Sequence, residues 1–367
     1  MKTILLNGPG FDPEAATSGG MGGYVRNMQV YLSEFASERY QLVHAPTTVR
    51  RKGEGWARKV PRLAQDLKSV RTRLPGASGV HMMALYRSAL PRELAIAVML
   101  KARRVPYVYE IKAGAFIRFV EGSSSPVRQA TEWVVRNAGE VLCEGEDYVR
   151  WLHDHWGVKG TWFPNFVPDH EVPGEVEERF QEPQISALFV GHAYKGKGVY
   201  ELLEGARAAA ALGVRLKVTI IGHEADDFRD WADALEAQVG DLPLTIDRRG
   251  LQPHAAVIDA LKAHDVFVFP SAHPGEGHSN AVNEAMMCGC AVVSTRHGFL
   301  PSVLKGSASF LDERTPEAIA KALKDLDDDR DAARALARAA RSRLLDHYRA
   351  GQVLPILEAT YDRLTAT

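Results

Sequence analysis

Cysteine is scarce in this chain: Cys143, Cys288 and Cys290 are the whole complement in 367 residues, and none stands in C-x-x-C spacing. That leaves no disulfide framework and argues against a thiolate metal site, so the three read as reduced, buried thiols of a cytoplasmic protein. Long hydrophobic runs are missing too. Nothing approaches the ~18 apolar residues that cross a bilayer, so no membrane span is expected, although the chain can still lie against a membrane. Charge of one sign is not in excess, with 45 Lys and Arg against 46 Asp and Glu and a net charge of −1. A globally basic nucleic-acid binder is thereby disfavoured, and any charged surface must be local. The opening MKTILLNGPG is broken too early by glycine and proline to be the apolar core of a secretory leader. It reads instead as the first strand of a parallel sheet.

With 46% apolar and 25% charged residues there is material for two hydrophobic cores, and the length suggests two domains of about 150 to 200 residues. Short apolar runs alternate with segments of helical period. Strands are expected at 3–7, 41–45, 79–84, 106–111, 140–143 and 160–163, with helices at 22–37, 56–73, 91–103, 126–138 and 145–156 between them. The tract from Pro164 to Pro183 is rich in proline and acid and reads as a linker followed by a loop. A second series places strands at 186–190, 215–221, 244–247, 266–269 and 291–294, helices at 198–212, 226–238, 253–263 and 279–288, and further helices beyond. Such βαβ rhythm predicts two doubly wound α/β halves of six parallel strands, 1–167 and 168–350, with a final helix over 351–367 returning to the first.

The run FVFPSAHPGEGHSNAVNEAMMCGCAVVST over 267–295 concentrates the chemistry. It reads as strand, Gly/Pro-rich loop and helix, and the first amides of a helix have no intrahelical partner, so they and the helix dipole favour an anion. Glu276 falls in the loop and Glu284 just over one turn into the helix. Two carboxylates so placed can accept hydrogen bonds from hydroxyls on either side of a phosphate; any strand-loop-helix unit can also carry two glutamates for no such reason.

This stretch resembles the E-x7-E signature of the family 4 retaining glycosyltransferases of the GT-B fold, with Glu276 and Glu284 at its ends. GGMGGYV at 19–25, FPNFVP at 163–168, FVGHAYKGKGVYELLEGA at 189–206 and IIGHE at 220–224 extend the resemblance along the chain. It implies two facing Rossmann-like parallel-sheet domains with an interdomain cleft. The first domain would hold a glycan or lipid-linked saccharide acceptor, and the second a nucleotide-diphosphate sugar as co-substrate, with no other cofactor. Glu276 and Lys197 would be catalytic, Glu276 on the sugar and Lys197 on the diphosphate, with Glu284 on the ribose. The donor would also meet Gly277, His278, Ser279 and Asn280 at the loop-to-helix junction, and Arg249 and Leu251 at the nucleobase. Relatives usually carry arginine where this chain has His192. Three readings stay open there: a protonated His192 on the diphosphate, Lys195 in its stead, or an ordinary loop residue.

Gly20 and Gly22 lie in a loop that the resemblance places along the cleft, near sugar or acceptor. As a dinucleotide fingerprint the same glycines are weak, because the second strand ends His44, Ala45, Pro46 with no acidic residue for a ribose, which disfavours a nicotinamide oxidoreductase. Lys112 and Gly114 follow the fourth strand where relatives approach the sugar; Lys112 is read either as a cleft residue or as a solvated strand-end lysine. DDDRD at 327–331 reads as helix capping and solvated charge, so no metal site is assigned. The segment 50–74 carries nine basic residues against Glu54 and Asp66, with Trp56, Val60, Leu63, Leu67, Val70 and Leu74 at helical spacing. It suits a helix on the anionic inner face of the cytoplasmic membrane, or a core-packed helix with a solvated basic face.

The reaction so implied is metal-independent hexosyl transfer with retention, in polysaccharide assembly. A sugar-nucleotide epimerase of the same fold and a catalytically inactive sugar-nucleotide-binding protein are the alternatives.

Overall fold

The structure, a computed structural model, describes residues 1–10, 19–48, 59–112 and 114–366; of residues 19–23 and 59 only the helical backbone is described. The chain divides into two compact units, Met1–Asn165 with Ala350–Thr367, and Phe166–Arg349.

The first unit runs β1 (Lys2–Pro9), α1 (Gly19–Glu34), β2 (Tyr40–Thr47), α2 (Lys59–Arg73), β3 (Ala77–Ala84), α3 (Leu90–Ala102), β4 (Tyr107–Ile111), α4 (Phe116–Glu121), α5 (Ser125–Arg136), β5 (Glu140–Cys143), α6 (Glu146–Trp156) and β6 (Gly160–Trp162). Its sheet is parallel, in the order β2-β1-β3-β4-β5-β6. The second unit runs β7 (Ile185–Val190), α7 (Val199–Ala211), β8 (Leu216–Ile221), α8 (Asp226–Glu236), β9 (Leu244–Arg248), α9 (His254–Ala263), β10 (Val266–Phe269), α10 (Asn280–Met287), β11 (Ala291–Thr295), α11 (Leu300–Leu304), β12 (Ser309–Leu311), α12 (Pro316–Asp328) and α13 (Arg330–His347). Its parallel order is β12-β11-β10-β7-β8-β9. The last helix, α14 (Ala350–Thr365), belongs to the first unit, where Tyr361 meets His81 and Arg39 pairs with Asp362 at 2.7 Å.

Strands covered by helices on both faces read as continuous apolar runs. VFVF of β10 and AVVST of β11 are buried at every position. The sixth strand of the second unit, β12, falls where only helices were expected: SFL is three residues long and half-buried, too short to carry a period. The proline-rich tract is pinned at its far end. Phe180 is buried, its amide donates to Asp265 at 2.6 Å, and the Arg179 guanidinium binds the carbonyls of Cys288 and Gly289 at the end of α10. Arg341 binds the Met287 carbonyl. Two cations thus satisfy the C-terminal end of α10, where the helix dipole favours positive charge.

The described part of helix α2 packs against the first unit and leaves a basic face open. Among the described residues of its apolar set, Val70 and Leu74 are buried, Leu63 and Leu67 half-buried, and Val60, at 69% exposure, is open. Its apolar face therefore covers the protein. Lys68, Arg71 and Arg73 are exposed; Trp56 and Arg58 lie outside the described residues. The acidic run at 327–331 is accounted for locally, with Asp329 accepting from the Ala332 amide at 2.9 Å to cap α13 and Asp327 and Asp331 paired with Arg330 and Arg334. All three cysteines are buried free thiols.

Candidate active site

In the second sheet the chain leaves β7 toward β8 and leaves β10 toward β11, so the connections beyond these neighbouring strands diverge. A crevice at the carboxyl ends of strands at such a switch point is where ligands bind in open parallel sheets. Glycine lets the two loops meet there. Gly198 adopts φ +76°, and a Cβ on it would stand 2.2 Å from the Pro270 carbonyl oxygen, so no other residue fits without displacing the β10 loop. The Ala272 amide donates to the Gly196 carbonyl at 3.1 Å, closing the contact.

That approach brings Lys197 Nζ to 2.6 Å from Glu276 Oε2, an oxygen that also accepts from Ser271 Oγ at 2.5 Å. The ammonium stands 5.3 Å from the Phe269 ring centre. Both members are largely withdrawn from water, at 19% and 8% side-chain exposure, which strengthens their attraction and fixes their geometry. Gly298, at φ +55°, lets the β11 loop press on the Glu276 backbone: a Cβ there would lie 2.4 Å from its carbonyl oxygen. Thr295 Oγ1 donates to the Ser271 carbonyl at 2.5 Å, and His297 Nε2 meets the His273 carbonyl at 2.8 Å. Glu276 is thus held by loops from three strands.

His192 lies in the same loop as Lys197. Its ring is 4.9 Å from that of His223, edge to face, and 5.1 Å from Tyr194. Partial burial holds its pKa below the ordinary value, and the charges of His223 and Lys197 act in the same direction, so the imidazole is neutral near pH 7. Lys195 leans toward the Tyr200 ring at 5.9 Å. Gly277, His278 and Ser279 lead from Glu276 to Asn280, the first residue of α10; Ser279 occupies the N-cap position without a side-chain cap. Glu284 is buried within α10. The His278 side chain turns inward, Nε2 on Asn283 Oδ1 at 2.7 Å and its ring 4.8 Å from Tyr348, so what it offers a ligand is its backbone. Arg249 is held by Asp247 through two hydrogen bonds of 2.8 and 3.0 Å, and Leu251 is 53% exposed beyond β9.

Three positions of the first unit differ from expectation. Gly20 and Gly22 are not in a loop: α1 begins at Gly19 and contains both. Lys112 is not a solvated strand-end lysine, because it is buried. Its ammonium lies 3.1 Å from Glu110 Oε1 and 2.7 Å from Asn165 Oδ1, between the rings of Tyr31 and Phe163. Glu110, two residues earlier, supplies the countercharge a buried ammonium needs. Gly114 lies in the turn before α4. Ser271 and His223 escaped the sequence reading, since nothing but the folded loops aims them at Glu276 and His192.

A doubly wound parallel α/β unit offers a ligand crevice at its switch point, and here a cation–carboxylate pair stands in it. Residues 175–343, within the second unit, match the family described as Glycosyl transferases group 1. No curated protein matches. Among solved structures the chain is similar to a sucrose-phosphate synthase from Thermosynechococcus elongatus, with 15% identity, TM-score 0.73 and full coverage of both chains. It is also similar to HepE of Anabaena in complex with UDP and glucose, with 13% identity, TM-score 0.69 and coverage of 99% of this chain and 100% of that one. A glycosyltransferase from Rickettsia africae gives 12% identity, TM-score 0.68 and coverage of 100% and 99%. At such identities the likeness shows the fold, a two-domain α/β architecture of GT-B type. The family match falls within the second unit, and the likeness in fold runs along the whole chain. Among the described residues no group of three or more His, Cys, Asp or Glu is placed to hold a metal ion, and no helix is long and apolar enough to cross a membrane.

Proposed function

We propose that this protein is a retaining, metal-independent hexosyltransferase of the family 4 type. It would move a sugar from a nucleotide-diphosphate sugar to a glycan or lipid-linked saccharide at the inner face of the cytoplasmic membrane. The observation that carries the reading is the Lys197–Glu276 pair, 2.6 Å apart at the switch point of a group 1 domain. Departure of a nucleoside diphosphate builds negative charge on the leaving oxygen, and a fixed ammonium stabilises it. Lys197 does this, aided by the first amides of α10. Glu276, freed from part of its bonding to Lys197 and Ser271, accepts from hydroxyls of the donor sugar, and Glu284 from the ribose. The acceptor hydroxyl attacks the anomeric carbon from the face the diphosphate leaves, the C–O bond to the diphosphate breaks, and the departing oxygen takes the acceptor's proton. His192, neutral in the free protein, gains a proton when the diphosphate arrives.

UDP bound in the HepE structure makes uridine the first nucleotide to try. The test is a thermal-shift panel of UDP, GDP, ADP, CMP and dTDP sugars, followed by product analysis. A ligand at 100 times its Kd stabilises by about 2.7 kcal/mol. One nucleotide class should raise Tm, and turnover should release free nucleotide; an isomeric nucleotide sugar without transfer would indicate the epimerase instead, and no response to any member would sink the donor reading.

A further inference from the structure

In the first sheet the switch point lies between β1 and β3, since the chain passes from β1 to β2 on one side and from β3 to β4 on the other. The carboxyl end of β3 carries a backbone feature that no glycine explains. Tyr86 has φ 39° and ψ −150°, and Arg87 has φ 47°. Two consecutive side-chain-bearing residues at positive φ are disfavoured by contact between Cβ and the neighbouring carbonyl, and such strain persists only where surrounding structure enforces it.

The enforcement is visible and costly. Glu93, 3% exposed, gives one carboxylate oxygen to the amides of Leu85 and Tyr86 at 2.8 and 3.1 Å and the other to the Tyr109 hydroxyl at 2.7 Å. The Tyr86 hydroxyl accepts from the Ala115 amide at 3.1 Å, and its ring is wedged against Phe116 and Phe119 at 5.4 and 5.3 Å. What this machinery leaves outside is Arg87. Its side chain is exposed, its guanidinium lies 5.8 Å from the Tyr86 ring centre, and it makes no ion pair among the described residues. A buried carboxylate thus fixes a strained turn that presents, at the carboxyl edge of its sheet, an arginine with no ion pair among the described residues.

We propose that Arg87 is an acceptor-binding residue of the first unit, taking a phosphoryl or phosphodiester group of the acceptor. The planar guanidinium fork matches two phosphate oxygens at once, and an arginine already resting on an aromatic face loses little freedom on binding. Naming the ligand an acceptor depends on the sugar-transfer reading; the phosphate site does not.

Two probes separate a soluble from a lipid source: glycerol phosphate in titration calorimetry, and vesicles of phosphatidylcholine with or without phosphatidic acid in co-sedimentation. Each is measured on the wild type, Arg87→Ala, Arg87→Gly and Lys197→Ala. Arg87→Ala should weaken one probe about 10- to 100-fold, the loss of a charge-assisted pair, with Lys197→Ala retaining that Arg87-dependent binding. Arg87→Gly should bind as poorly while raising Tm, because glycine accepts positive φ without strain. Equal binding of both probes by Arg87→Ala and the wild type, or binding of neither by the wild type, would overturn the assignment. Nucleotide binding, followed separately, decides the donor reading.

Discussion

Lys197 and Glu276 are joined at 2.6 Å across 79 positions of sequence, and the contact exists because Gly198 lets the β7 loop touch the Pro270 carbonyl. The pair holds a cation and an anion together, and on the proposed function a diphosphate and a sugar would separate them. On that proposal its strength sets how much of the donor's binding energy goes into rearranging the site, and its geometry keeps both groups in place beforehand.

Lys197→Ala and Glu276→Ala should each lower kcat by roughly 10² or more, the scale of losing one transition-state stabiliser, with circular dichroism unchanged. Near-normal turnover in either folded variant would remove that residue from the mechanism. In the same assay saturating chelator should leave the rate unaltered, and activity restored by Mn²⁺ or Mg²⁺ would contradict metal independence.

If His192 meets the diphosphate as proposed, donor binding should depend on pH, starting from an imidazole whose pKa partial burial holds below the ordinary value. An arriving diphosphate favours the imidazolium, so binding takes up a proton. Kd should tighten as pH falls through the raised pKa of the complex and level off below the depressed pKa of the free protein, by about tenfold per unit of separation. Titration calorimetry of UDP from pH 8 to 5, in buffers of differing ionisation heat, measures it. His192→Gln should abolish the part of the slope not due to the nucleotide; an unchanged slope would make His192 a bystander.

Glu110 anchors a buried network with Lys112, His81 and Tyr31. Burial alone would raise its pKa, but Lys112, His81 and Tyr31 outweigh it and lower the carboxyl from 4.5 to about 2. A depressed carboxylate contributes stability above its unfolded pKa and loses it as pH falls toward the folded one, here between about 4.5 and 2. Glu110→Gln leaves Lys112 buried without its countercharge, for which a loss of about 3 to 5 kcal/mol at pH 7 is expected, together with a flatter acid limb of Tm against pH. A variant as stable as the wild type would show the network to be dispensable.

The proposed membrane attachment through α2 rests on its basic face, because Val70 and Leu74 of the apolar face are buried. Replacing Lys68, Arg71 and Arg73 by Ser should reduce co-sedimentation with anionic vesicles at low salt, and high salt should do the same to the wild type. Equal partition onto neutral vesicles would favour another mode, and no partition onto anionic ones a soluble acceptor.

Local pattern alone determined much of this protein. Apolar runs such as VFVF and LFV mark strands covered on both faces, helical periods mark what covers them, and the loop carrying Glu276 ahead of α10 is legible because glycine, proline and a helix start are local signals. The tertiary structure decided which of these meet. Strand order is a property of the whole sheet, so only folding sets β7 beside β10 and with it Lys197 against Glu276 and Ser271. Lys112 reads as an accessible lysine until Glu110, Asn165, Tyr31 and Phe163 close around it, and the outward or inward sense of the α2 apolar face depends on what lies beneath. Tyr86 and Arg87 carry no turn signal at all. Their backbone is held by Glu93 and by rings from α4, and strain imposed through such contacts has no signature in the residues that bear it.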